Sequence, residues 1–330
     1  MAATEESLDA LRAKRYRFKV SGVVGAATCL AGLAAVLACF GRFSWIPDVA
    51  GSFRSQYLIV SAMGVGLYIH RRAKIPSCLA IAIMLINGAV ILPRYAGRVL
   101  PCEGTQIRLL SANVYSANTD HASLLSLIEI EDPDLILLME VNQRWIQALE
   151  PLRQKYPHHI ERPRADNFGI AFYARVPLEQ LDIVRLGDAD VPTVQARLTH
   201  EGGAWNLIAT HPVPPTGKQY WDWRNQQLAE IATLSQSLQA AGEQVVVLGD
   251  LNAPPWSYYF RRLLSDAELR DASNGYGVGI TWPANSWLFG IPIDHCLVSS
   301  DTRVCDRRNG PAIGSDHYPI VVDLALPLTH

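Results

Sequence analysis

The run from Val20 to Phe40 holds 21 residues without a single charge, and it limits what the chain can become more than any other feature. At about 1.5 Å rise per residue, a helix of that length crosses a hydrocarbon core of about 30 Å. A secretory signal is the competing reading, but its apolar core is shorter than this run, and two further apolar runs follow. Residues 1–103 are therefore predicted to be a membrane anchor with three spanning helices, at 20–40, 56–70 and 75–92. The middle run is short and holds two glycines, so a helix lying flat on the bilayer competes there. Charge divides the chain in the same place. Residues 1–100 carry 12 of the 29 Lys and Arg but only 4 of the 31 Asp and Glu, so the net charge of −2 joins a basic anchor to an acidic remainder.

Basic residues beside membrane spans favour the cytoplasmic side. Arg12, Lys14, Arg15, Arg17 and Lys19 precede the first span, and Arg71, Arg72 and Lys74 lie in the second connection. Only Arg42 and Arg54 lie in the first connection, and Arg94 and Arg98 follow the third span. With three crossings of the cell (inner) membrane, this pattern puts the remainder of the chain on the extracytoplasmic side. The spans contain no Asp, Glu, Lys or Arg, which argues against a transporter or channel.

Residues 104–330 read as one α/β domain. Short apolar runs suited to strands recur at 107–112, 135–139, 169–173, 194–198, 205–210, 245–248, 293–298 and 319–324. Helical patterns lie between some of them, from Thr119 or Asp120 to Ile130, from Asn142 to Tyr156, and from Tyr220 to Ala240. The cluster Glu201-Gly202-Gly203 predicts a hairpin turn, so antiparallel pairing is expected too. Polar residues recur at the strand ends: Asn113, Glu140, His211, Asp250 with Asn252, Asp294, and Asp316-His317. Each alone has a plain structural reading, such as a turn cap, a surface carboxylate or a salt-bridged histidine. Strand ends on one edge of a sheet converge, and together these residues can form a single pocket on a rigid base.

The ordered set Ser111-Ala112-Asn113, Leu138-Met139-Glu140-Val141, Thr210-His211-Pro212, Gly249-Asp250-Leu251-Asn252, Ile293-Asp294-His295 and Gly314-Ser315-Asp316-His317-Tyr318-Pro319 resembles the endonuclease/exonuclease/phosphatase superfamily. Asn167-Phe168-Gly169-Ile170-Ala171, Thr281-Trp282-Pro283 and the Arg224 to Gln227 pattern resemble its membrane-anchored bacterial branch. The resemblance implies two mixed β-sheets packed as a sandwich flanked by helices, here preceded by the transmembrane anchor. It also implies a hydrolase of phosphate esters that uses Mg²⁺ or Mn²⁺. Glu140, Asn113 and Asp316 would serve the metal, and Asp250 would take a proton from the attacking water. His211, Asn252 and His317 would donate to the phosphoryl oxygens, Asp294 would orient His317, and Arg224 would contact substrate. Two departures stand out. Tyr115 occupies a position where many members have an acidic residue, and Tyr318 stands where arginine is frequent.

The substrate is less legible. Nonspecific nucleic-acid binding rests on Lys and Arg, and residues 101–330 are acidic. A phosphodiester, as in a nuclease, is the favoured substrate. A lipid-linked or small soluble phosphoester (inositol phosphate, nucleotide or sphingomyelin type) is the alternative, and a catalytically inactive tethered binding module is a third. Lys218, Arg224, Arg261 and Arg262 are candidates for a backbone-contacting rim. Trp221, Trp223, Trp256, Tyr258, Tyr259 and Phe260 could stack on bases, enter a bilayer interface or simply pack in the core. The expected partners are thus the bilayer and a phosphoester, with no protein partner. Cys29, Cys39 and Cys78 fall in the apolar spans. Cys296 and Cys305 flank a tight turn at Ser300-Asp301, where a two-residue hairpin loop would set them opposite each other and allow a disulfide, leaving Cys102 unpaired.

Overall fold

A computed structural model describes residues 21–97, 102, 106–200, 203–286 and 288–325. The chain divides into two compact units, one ending at Ile91 and one starting at Leu92.

The first unit is helical: α1 (Ser21–Phe40), α2 (Trp45–Gly51), α3 (Arg54–His70) and α4 (Lys74–Ile91). Two helices are long and apolar enough to cross a membrane, Ser21–Phe40 and Lys74–Tyr95, each with a mean hydropathy of 2.3. Many of their apolar side chains are not covered by protein: Val23 is 70% exposed and Ile75 is 76% exposed, although Ala31, Ala35, Ala80 and Ile91 are buried. The middle predicted span is helical but has only 17 residues, roughly 26 Å at ~1.5 Å per residue. Arg54 Nη1 donates to Asn87 Oδ1 at 3.3 Å, which satisfies part of a buried guanidinium between α3 and α4. Val20 and the basic residues before it lie outside the described residues.

The second unit holds β1 (Gln106–Asn113), α5 (His121–Glu131), β2 (Leu135–Met139), α6 (Gln143–Ala148), α7 (Leu152–Lys155), β3 (His158–Arg162), β4 (Ile170–Ala174), β5 (Gln180–Arg185), β6 (Pro192–His200) and β7 (Gly203–Thr210). It continues with α8 (Lys218–Ala240), β8 (Gln244–Asp250), α9 (Tyr258–Asp266), β9 (Leu269–Asp271), β10 (Asp294–Ser299), β11 (Arg303–Asn309) and β12 (Ile320–Ala325). The strands form two six-stranded mixed sheets, in the orders β11-β12-β1-β2-β4-β3 and β5-β6-β7-β8-β10-β9.

Side chains alternate across a strand, so each central strand feeds two cores. Leu109, Leu137, Phe172, Leu207, Val246 and Val298 meet between the sheets. Leu110, Ile136, Leu138 and Tyr173 face the other way, onto Leu124, Leu127 and Ile128 of α5 and Trp145 of α6. On the second sheet Ile208, Val247 and Leu297 face Leu228 and Ile231 of α8 and Phe260 and Leu263 of α9. Such two-sided burial explains why these strands read as continuous apolar runs. The expected architecture, a sandwich of two mixed sheets flanked by helices, is the one observed.

Local signals account for several boundaries. Asp120 caps α5 by accepting from the Ser123 N–H, and Asn142 caps α6 by accepting from Arg144 and Trp145 N–H. The helix predicted from Asn142 to Tyr156 is broken after Ala148 and resumes at Leu152, beyond Pro151. Of the predicted hairpin turn, residues 201 and 202 lie outside the described residues, while β6 and β7 pair antiparallel down to His200 opposite Gly203.

The Cys296–Cys305 pairing does not occur, and Cys305 is bonded to Cys102 instead. The reason is topological. β10 belongs to one sheet and β11 to the other, so the turn at Ser300-Asp301 crosses between sheets and builds no hairpin. Cys296 points into the core between the sheets, 2% exposed, while Cys305 sits where the β11–β12 register shifts.

Candidate active site

Two parallel pairs, β1–β2 and β7–β8, set four carboxyl-terminal strand ends side by side. The antiparallel β10 and β12 add residues from their amino-terminal ends. The edge so formed carries Asn113, Glu140, His211, Asp250, Asp294 and His317.

Asp250 is the hub. It is 1% exposed and lies opposite Asp294 in the β8–β10 register. Its Oδ1 accepts from the Asn252 N–H at 2.9 Å. Its Oδ2 lies 3.4 Å from His211 Nε2, 3.8 Å from His317 Nε2 and 3.4 Å from Asn113 Nδ2. Burial would raise the carboxyl pKa, but the hydrogen bond to His211 and the charges of His317 and His211 hold it below the usual range, so Asp250 is ionised. Burial likewise opposes charge on His211, yet Asp250 raises its pKa. His317 Nδ1 meets Asp294 Oδ2 at 2.9 Å. Burial works against the His317 cation, and Asp294, then Asp250 and Asp316, overcome it and push the pKa up to about 9. His317 is therefore an imidazolium at neutral pH.

Glu140 adopts φ 62° and Asn252 φ 49°. Left-handed backbone at non-glycine residues is uncommon and gathers at functional sites. Glu140 is half-buried, its Oε1 accepting from Asn113 Nδ2 at 3.0 Å and its Oε2 from the Ser116 N–H at 3.3 Å. No Lys or Arg among the described residues pairs with it. Gly249 explains the glycine before Asp250: a Cβ there would stand 1.9 Å from the Thr210 carbonyl oxygen. Only glycine lets β7 and β8 approach so closely at the level of His211 and Asp250.

Three predicted residues sit differently from the others. Arg224 is 1% exposed, its Nη1 donating to the Asn252 carbonyl at 2.9 Å and its Nη2 to Asn225 Oδ1 at 2.7 Å. It lies under the Asn252 loop and supports it from below. Asn252 gives one amide hydrogen to the Pro212 carbonyl at 2.9 Å. Asp316 Oδ2 accepts from Trp282 Nε1 at 3.0 Å, and its Oδ1 is buried without a partner. Of the other rim candidates, Lys218 pairs with Asp222 and Arg262 with Asp266 on exposed helix faces. Phe260 packs in the core against the second sheet, and Trp221 and Trp256 are buried as well.

Several supporting groups were not picked out from the sequence. Ser315 Oγ donates to the Asn113 carbonyl and accepts from the His317 N–H, joining two strand ends. Thr281 Oγ1 accepts from the Asp294 N–H at 3.2 Å, and Phe168 lies against the His211 ring. Gln227 Nε2 donates to Thr210 Oγ1 beside His211. All four lie in motifs of the sequence, but the partner that a hydroxyl, an amide or a ring finds across the fold leaves no periodic mark there.

The sequence model of the Endonuclease/Exonuclease/phosphatase family matches residues 110–317, a span that takes in every one of these groups. The chain belongs to the endonuclease/exonuclease/phosphatase family. No curated protein sequence matches it. Solved structures share the fold at low identity. D. rerio TDP2 complexed with a single-strand DNA product superposes with a TM-score of 0.55 at 17% identity, over 68% of this chain and 100% of that one. The human Nocturnin catalytic domain with bound sulfate gives 0.55 at 19%, over 71% and 98%. C. elegans TDP2 gives 0.57 at 17%, over 82% and 93%. Membership of this family makes the chain a hydrolase acting on phosphoesters.

Proposed function

We propose that the chain is a membrane-tethered phosphodiesterase that depends on Mg²⁺ or Mn²⁺. The observation that carries the reading is the buried Asp250 held between His211 and His317, with Asp294 behind His317 and Glu140 beside Asn113 at the mouth. The donors fit a hard cation: Glu140 has two carboxylate oxygens and no basic partner, and the buried Asp316 Oδ1 has no partner. Glu140, with Asn113 and Asp316 beside it, would hold such an ion, which keeps several of its waters. Asp250, Asp294 and His317 also offer ligand atoms within 4.8 Å of one another. We assign them to proton chemistry instead, because a cation held by all three would compete with the 2.9 Å Asp294–His317 hydrogen bond. When bound, the ion neutralises phosphoryl oxygens and supplies a Lewis acid.

The protein's own residues then divide the work. Asp250, ionised and close to the mouth, accepts a proton from the attacking water. His317, cationic and fixed through Nδ1, donates from Nε2 to the charge that develops on the phosphoryl group. His211, whose Nε2 lies 3.4 Å from the same Asp250 Oδ2, does the same. Asn252 has one amide hydrogen left for a non-bridging oxygen, and Arg224 keeps its loop in place. A diester suits this inventory better than a dianionic monoester, since few cations face the site. The DNA product in the TDP2 structure supports a diester but leaves its carrier open.

We also read the first unit as crossing the membrane three times, with the catalytic unit outside the cytoplasm. The excess of basic residues in the two predicted cytoplasmic segments, before the first span and between the second and third, supports this, as does a disulfide in the catalytic unit.

The test uses the full chain in detergent with bis(p-nitrophenyl) phosphate. Excess chelator should abolish hydrolysis and Mg²⁺ or Mn²⁺ should restore it. Asp250→Asn should lower kcat by about 10²–10⁴-fold, the usual contribution of a positioned base. Undiminished turnover in chelator would sink the metal assignment.

A further inference from the structure

The segment Trp282 to Ile291 leaves the active site and returns to it. Its two ends pair with each other, Trp282 N–H to the Ile291 carbonyl at 3.0 Å and Ile291 N–H to the Trp282 carbonyl at 2.6 Å. Its base is clamped to the catalytic segment: Ala284 N–H donates to the Asp316 carbonyl at 2.7 Å, and Tyr318 Oη donates to the Ala284 carbonyl at 2.8 Å. Trp282 Nε1 holds Asp316 Oδ2, and its ring lies beside that of His317. Whatever the loop binds is therefore brought to the rim of the site. At the tip, Leu288 is 45% and Phe289 is 59% exposed. Among the described residues from Leu92 onward, no other two adjacent large apolar residues are both exposed. Trp287 precedes them in sequence and lies outside the described residues.

An exposed Leu-Phe tip has the composition of a segment that enters a membrane interface, and the sequence carries no charge from Pro283 to Gly290. Such a tip leaves apolar surface in water, and this chain also carries two helices long and apolar enough to cross a membrane. We propose that the tip Leu288-Phe289 enters the lipid interface and thereby presents the site to phosphodiesters carried by the membrane, such as lipid headgroup diesters. The proposal rests on the phosphodiesterase reading above and names its substrate class. Tyr115, 39% exposed beside Asn113, adds a further aromatic at the mouth.

The test labels the tip. The full chain, with Cys29, Cys39 and Cys78 replaced by Ser, carries Phe289→Cys with an environment-sensitive fluorophore and is reconstituted in phosphatidylcholine vesicles. Leu288→Cys serves as a second labelling site if the first variant misfolds. Insertion predicts a blue-shifted emission that is largely lost when spin-labelled phosphatidylcholine is included. Emission that stays water-like and unquenched at both positions overturns the proposal, as does a response to single-stranded DNA with none to lipid. Hydrolysis of bis(p-nitrophenyl) phosphate, measured on the same samples, separates the two readings. A water-exposed tip on an enzyme active towards that diester refutes insertion alone, whereas an unlabelled chain with no activity refutes the phosphodiesterase reading. Leu288→Ser with Phe289→Ser should keep the soluble activity, since neither residue touches the catalytic groups.

Discussion

Asp250 and Asp271 lie on the same sheet with β10 between their strands, both buried and both ionised, but only Asp250 is proposed to take part in the reaction. Asp271 is held by Arg94 Nη2 at 2.5 Å and lies 3.7 Å from His295 Nδ1. Burial would raise its pKa, yet His295, Arg94 and the Ser273 N–H drive it far below the carboxylate range. Arg94 also donates to Ser273, and its carbonyl accepts from the Gly275 and Gly277 N–H groups, so the Leu92–Gly97 stretch is part of the second unit. His295 Nε2 in turn meets the Ala253 carbonyl at 2.9 Å, next to Asn252. Removing one partner of a buried pair leaves an uncompensated charge, so Arg94→Ala should cost about 3–5 kcal/mol of stability. Asp271's pKa is depressed by folding, so its contribution is present above its unfolded value, roughly pH 4, and is lost as pH falls below that. The gap in thermal unfolding between the unmodified chain and Arg94→Ala should therefore be constant from pH 7 to about pH 4 and shrink below it. A gap that ignores pH would remove Asp271 from the account. It follows too that a soluble fragment should begin at Leu92 and not at residue 104, where the predicted domain boundary fell.

At the level of elements, the β8–β10 pairing sets Asp250 across from Asp294, two carboxylates that would repel if nothing lay between them. His317 reaches from the segment before β12 to meet both, so the first sheet supplies the cation that the second sheet needs. Asp294→Asn keeps the size of the side chain but loses the charge that fixes the ring, and kcat should fall by up to about 10⁴-fold, as expected when an orienting carboxylate becomes an amide. KM should change much less, because Asp294 touches His317 and not substrate; a change confined to KM would contradict its positioning role. The central strands were legible because each is buried on both faces. Edge strands were not: β3, β5 and β11 read His-His-Ile-Glu-Arg, Gln-Leu-Asp-Ile-Val-Arg and Arg-Val-Cys-Asp-Arg-Arg-Asn, with polar side chains in solvent and only their pairing to define them. The Cys102–Cys305 bond is illegible in the sequence for a related reason. Proximity across the Ser300-Asp301 turn depends on which sheet each flanking strand joins, and that is decided by partners far away in sequence. The site residues stood out because each follows or opens a buried strand, whereas Arg224 looked like a rim cation because a guanidinium buried beneath a loop leaves the same helical pattern as an exposed one.

For the whole molecule, the number of membrane crossings decides which compartment holds the active site. The two helices that meet the length for spanning would return the chain to its starting side, and three crossings would carry it across. With α3 at 17 residues, some 26 Å against a core of about 30 Å, length alone argues weakly against insertion, because bilayers thin and flanking residues snorkel to meet a short span. Two features of the chain favour the third crossing. Basic residues cluster before α1 and between α3 and α4, on the side that positive charge marks as cytoplasmic. The Cys102–Cys305 bond closes a loop with a sequence separation of 203 residues, and cytosolic thiols are kept reduced. Both features would have to mislead for the catalytic unit to lie in the cytoplasm. In cells, alkaline phosphatase fused after His330 should therefore be active, and Cys102 and Cys305 should resist a thiol reagent until a reductant is added. Removing that bond by Cys102→Ser with Cys305→Ser should destabilise the catalytic unit by about 2–5 kcal/mol. Full labelling of both cysteines without reductant, with a silent fusion, would instead mean that α3 stays out of the bilayer and that the enzyme meets its phosphodiester on the cytoplasmic face.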